Sequence, residues 1–135
     1  MNAKELFDAI NSNYDESYFG SYEELDDILN NASFPCLVVI PISKQVQFIA
    51  DRFKTIETVV IASLDEMELD TSTSDVYDSI SKMEGELLEY LYPFTNQILS
   101  YQSISELNKF NSNLTFAAFS IELINDPKCF EQWQY

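Results

Sequence analysis

The chain has 135 residues, with 23 Asp and Glu against 7 Lys and Arg, for a formal net charge of −16. It is 46% hydrophobic and 14% aromatic, which supplies a core and excludes a disordered composition in spite of the charge. Its one basic grouping, Lys44, Arg52 and Lys54, is too sparse to track a phosphate backbone, which excludes an ordinary nucleic-acid binder.

Taken in chain order, Asn2 is an N-cap candidate, and Leu6, Phe7 and Ile10 share one face of a helix expected over 3–12. Residues 13–20 read as a polar and aromatic loop. Ser21 and Glu24 have capping-box spacing and open a short helix with Leu25, Ile28 and Leu29 on one side, closed by Asn30 and Asn31. Cys36–Ile40 is a continuous β-branched run between Pro35 and Pro41, the pattern of a strand covered on both faces. A second strand is expected over 45–50 and a third, the strongest, over 55–64. Asp51–Lys54 between them suits either a hairpin turn or a bulged continuation.

An acidic loop over 65–73 leads to the clearest helix, 74–92, with Ser74 as its cap. Val76, Ile80, Met83, Leu87 and Leu91 form a single apolar stripe along it, and Pro93 ends it. Residues 98–109 favour a strand over a helix, Asn111–Asn113 a turn, and 114–124 a last strand, the two strands forming a hairpin. The tail from 125 carries Phe130, Trp133 and Tyr135. This order predicts one α+β domain over 1–135. Its helices fill 1–32, and a mainly antiparallel sheet of about five strands with a long crossover helix fills 34–124. The N-terminal helices are expected to pack on one face of that sheet.

The sequence offers little for catalysis. It has no histidine, which removes the commonest general base, the Ser-His and Cys-His pairs and most zinc sites. It has only two glycines and no phosphate-cradling loop. Cys36 has no basic neighbour to activate it and reads as a buried, reduced thiol. Asp65, Glu66, Glu68 and Asp70 are the densest carboxylate cluster. They lack the spacing and turn glycine of an EF-hand, so a solvated loop is expected instead of a Ca²⁺ or Mg²⁺ site. The expectation is therefore a protein with no active site, metal or cofactor that binds macromolecules. The N-terminal aromatics Tyr14, Tyr18, Phe19 and Tyr22 and the C-terminal Phe130 and Trp133 are candidate contact residues, or else caps over the sheet ends. The N-terminus has no long apolar run, and no stretch approaches the roughly 20 apolar residues of a membrane span. A cytosolic compartment, or a particle assembled in one, is expected.

The layout of an N-terminal helix, an aromatic acidic loop, Phe34-Pro35 with its apolar run to Pro41, a Thr55–Leu64 strand, an acidic loop, a long amphipathic helix and a closing strand pair resembles phage tail-terminator and tail-completion proteins. It is especially similar to acidic versions from phages of gut Bacteroidetes-like hosts. The resemblance covers about residues 3–125, and the tail with Cys129 and Trp133 departs from it. It implies a virion protein assembled in the host cytoplasm as a homo-oligomeric ring, commonly of six or twelve copies, at the head–tail connector or tail end. Such a ring docks portal, connector or tail neighbours and lets DNA through without binding it. The sheet edges and loops 42–54 and 65–73 would then make subunit contacts, and Asp65, Glu66, Glu68 and Asp70 would face the lumen. Two other readings stay open: an acidic inhibitor that mimics DNA, and a bacterial regulatory or immunity-type partner-binding domain.

Overall fold

Arg52–Glu66 and Leu114–Cys129 are two long apolar strands that pair antiparallel through the middle of a five-stranded sheet. The computed structural model describes residues 1–30, 32–68, 70–107 and 114–129. Its elements are helix α1 (Ala3–Ile10), strand β1 (Glu16–Phe19), helix α2 (Leu25–Leu29), strands β2 (Cys36–Ile49) and β3 (Arg52–Glu66), helix α3 (Thr73–Leu91), and strands β4 (Ile98–Ser103) and β5 (Leu114–Cys129). Short 3₁₀ turns follow α1 and α3 and precede α2. The sheet order is β1-β2-β3-β5-β4.

The α+β class holds, but the sheet is mixed. β1 lies parallel to β2, with Glu16 opposite Cys36 and Phe19 opposite Val39, while the other pairs are antiparallel. The expected loop over 13–20 therefore contains a strand. The stretches 36–40 and 45–50 are one strand instead of two. Pro41 does not break it, because Val39 accepts a hydrogen bond from the Gly20 N–H on the β1 side (3.2 Å). Two residues on, Pro41 faces the same way, so its missing N–H falls on the outer edge and costs no bond to β3. Ile42 is the extra residue of a bulge between Pro41 and Ser43.

Several boundaries shift for local reasons. α1 stops at Ile10 and continues as a 3₁₀ turn, Asn11–Asn13. Its start is a full capping box between Asn2 and Glu5. The box expected at Ser21 is absent: the Ser21 side chain makes no cap bond, and the Tyr18 hydroxyl is 3.1 Å from the Glu24 carboxylate instead. The cap of α3 is Ser72, not Ser74, with its Oγ accepting from the Asp75 N–H at 3.2 Å. β4 ends at Ser103, short of 109, whereas β5 runs past 124 to Cys129. The turn expected at 111–113 lies outside the described residues.

The sheet buries two unequal faces. On the first, Leu37, Val39, Val59, Ile61, Phe119, Ile121 and Leu123 lie under Leu6, Phe7 and Ile10 of α1 and Leu87 and Leu91 of α3. Ala117 of the same face meets Val76, Ile80 and Met83 of α3, so every stripe residue of that helix is buried. The second face carries Cys36, Val38, Ile40, Ala62, Leu64 and Ala118, and α2 packs here through Leu25 and Leu29. The two N-terminal helices thus sit on opposite faces, contrary to the expectation. Five residues of α2 are too short to roof a sheet this long.

At the β2–β3 turn, Ile49 pairs with Arg52 across Ala50 and Asp51. Ala50 has φ 55°, a conformation that costs a residue with a Cβ about 1 kcal/mol and glycine almost nothing. Ala50→Gly is expected to raise the unfolding free energy by roughly 0.5–1 kcal/mol, seen as a higher urea midpoint at unchanged slope.

Candidate functional site

The four acidic residues singled out by sequence do not form one lining. Asp65 and Glu66 are the last residues of β3, so strand alternation sends them to opposite faces. Asp65 turns to the α3 side, where it lines a crevice of about 160 Å³ with Ser63, Lys82, Glu86 and Tyr14. Glu66, Glu68 and Asp70 are exposed. Among the described residues, no group of three or more Asp, Glu, Cys or His side chains is arranged to hold a metal ion.

The N-terminal aromatics divide between the faces as well. Phe19 packs on Phe7 with ring centroids 5.6 Å apart, and Tyr14 meets Tyr90 edge-on at 5.8 Å, both on the α1–α3 side. Tyr18 packs on the α2 side. All three are half-buried, and Tyr22 is 56% exposed. Phe130 and Trp133 lie outside the described residues.

Burial pushes the Tyr14 hydroxyl up to about 12 from 10.0. A hydrogen bond with Ser63 works against the rise, and the neighbouring Tyr90 and Glu86 add to it. The folded state thus favours the neutral phenol. Its contribution to stability is complete below pH 10.0 and is lost as pH rises through about 12. Tyr14→Phe is expected to make the fold less sensitive to pH across that window, read by circular dichroism alongside tyrosinate absorbance. Burial, with help from the Glu16 carboxylate, likewise pushes the Cys36 thiol up to about 11. A protonated, buried thiol is a poor nucleophile.

Two surfaces stand out: the segment expected as contact loop 42–54, which is strand instead of loop, and one that the sequence did not suggest. The first is an arm formed by the far ends of β2, β3 and β5. From Pro41 to Ile56 none of the described side chains is buried. Ile42 is 49% exposed, Val46 47% and Phe48 65%, although the Phe53 ring lies 6.1 Å from that of Phe48. Among the described residues β2 is paired on its outer edge only at Cys36–Val39, which leaves the arm's side of the strand open. Within it, residues 41–56 carry Lys44, Arg52 and Lys54, three of the chain's 7 basic residues, against Asp51 alone. The signal was in the sequence: Val46 and Phe48 alternate with glutamines beside the one basic grouping.

The second surface is a groove of about 290 Å³ on the face that α2 fails to cover. Val38, Ile40, Val60 and Ala62 floor it, Tyr22 and Leu25 form one wall, and Ile104 and Phe116 stand opposite. Glu106 lies at its rim, and the exposed Glu23 and Glu24 sit between Tyr22 and Leu25. Lined mainly by carbon among the described residues, the groove can take apolar side chains.

Comparison of the chain with protein-family models and with curated proteins gives no match. No helix is long and apolar enough to cross a membrane among the described residues.

Proposed function

We propose that this protein is a non-catalytic structural subunit that assembles into a homo-oligomeric ring, of the kind that forms a head–tail connector or tail terminator in a phage virion. The observation that carries the reading is the arm. A strand edge that is open beyond Val39 among the described residues, with Ile42, Val46 and Phe48 exposed, is a surface suited to covering by another protein. Its charge supports self-association. Residues 41–56 carry Lys44, Arg52 and Lys54 against Asp51 on a chain of net charge −16, so another copy offers them a surface of opposite sign.

In this reading the exposed Glu66, Glu68 and Asp70 line the passage, where negative charge repels phosphates and lets DNA slide. The DNA-mimic alternative asks for carboxylates spaced along one face, and the division of Asp65 from Glu66 between faces favours it less.

Native mass spectrometry and light scattering over a concentration series test the proposal. A discrete closed assembly, expected at six or twelve copies and not retained by duplex DNA, supports it. A monomer at every concentration rejects it.

A further inference from the structure

We propose that the ring joint is heterologous: the β2–β3 arm of one copy docks in the apolar groove of the next. The inference rests on the ring reading above and names its contact. Three observations lead to it.

The first is chemistry. The groove is floored by Ile40, Val60 and Ala62, and the arm offers Ile42, Val46 and Phe48 as apolar side chains exposed to water. Burying each against the other removes both from solvent. The second is charge. Residues 42–56 hold Lys44, Arg52 and Lys54 against Asp51, which leaves four basic and 22 acidic residues of the 7 and 23 for the rest of the chain. Glu106 in the groove lining is thus placed to receive Lys44, which alternation puts on the same face of the arm as Val46 and Phe48.

The third is geometry. The arm and the groove share strands, for Ile40 and Phe48 both belong to β2. Eight residues of extended chain separate them by roughly 25 Å, so an arm cannot fill its own groove. The bulge at Ile42 also decides the facing. Before it, Val39 pairs with Ile61 on the α1 side. After it, Val46 pairs with Thr55 and Phe48 with Phe53 on that same side. The groove lies on the other side. The proposed contact therefore joins unlike surfaces, front to back. Contacts of this kind close into rings when the rotation per subunit allows it.

The test uses two classes of variant of the full chain. Phe48→Ser and Val46→Glu damage the arm and leave the groove intact. Ile104→Arg, at a wall residue 37% exposed, damages the groove and leaves the arm intact. Each variant alone is expected to raise the concentration needed for assembly about tenfold or more, with an unchanged circular dichroism spectrum. Mixing an arm variant with the groove variant is expected to give a 1:1 heterodimer and no ring, because the pair retains one intact arm and one intact groove that match. A wild-type ring that survives all three substitutions keeps the ring reading and overturns this joint. Variants that are each monomeric and form no heterodimer also overturn it. A wild-type monomer removes the ring reading itself.

Discussion

Leu87→Ala is expected to lower the unfolding free energy by about 3 kcal/mol, which is a large share of the roughly 5–15 kcal/mol that holds a domain together. Leu87 is fully buried and belongs to the cluster in which α1, α3 and four strands meet. Removing its isobutyl group forfeits the transfer energy and leaves a cavity. That cluster draws its members from both helices and from the sheet, and a site framed by separate elements collapses poorly. Leu88, the next residue, is 40% exposed. Leu88→Ala is expected to change stability by about 0.5 kcal/mol or less. Urea unfolding of the pair reads the difference directly, and equal midpoints would contradict the packing described.

The second large effect concerns a buried charge. Glu57 lies on β3 only 7% exposed, and its Oε1 accepts from the Ala3 N–H at 2.8 Å. That N–H is one of the donors that the start of α1 cannot satisfy within the helix, and a carboxylate there also meets the positive end of the helix dipole. Glu57→Ala is expected to cost about 2 kcal/mol, because it removes a charged acceptor and leaves the donor without a partner. Glu57→Gln keeps an acceptor oxygen and loses only the charge, so it is expected to cost less than half as much. Denaturant midpoints of the two variants, measured at low and high salt, separate the bond from the dipole. Similar losses for both would mean that the contact is not holding α1 in place.

The parts legible in the sequence are those whose signal is local. The stripe Val76, Ile80, Met83, Leu87 and Leu91 repeats with the helix, and all five residues are buried. The continuous apolar run Cys36–Ile40 announced a strand with both faces covered, and it lies between two packed layers. What escaped depends on partners distant in sequence. β1 is four residues of mixed polarity that become a strand only because residues 36–39 lie beside them. Pro41 reads as a terminator, and becomes harmless only once its N is known to face an open edge. The Ser21 capping box failed because the Glu24 carboxylate meets the Tyr18 hydroxyl, a competition that spacing does not reveal. The side of the sheet taken by α2 was hidden as well, since Leu25 and Leu29 say that a face is buried without saying against what. The groove follows from that last point: an apolar sheet face was foreseeable, but the shortness of its cover was not.

The strand order has a consequence for how the molecule forms. β5 is the last strand in sequence, yet it sits between β3 and β4, with Arg52 opposite Cys129 and Glu66 opposite Leu114. The centre of the sheet is therefore built from segments far apart along the chain, and their loop-closure entropy must be overcome before any ladder bond forms. On a ribosome, β2, β3 and α3 emerge first and wait with the inner edge of β3 bare, a template for unwanted pairing until β5 arrives. Slow, late closure of the central ladder is the folding behaviour this topology dictates, and a chain cut before Leu114 would leave that edge permanently open.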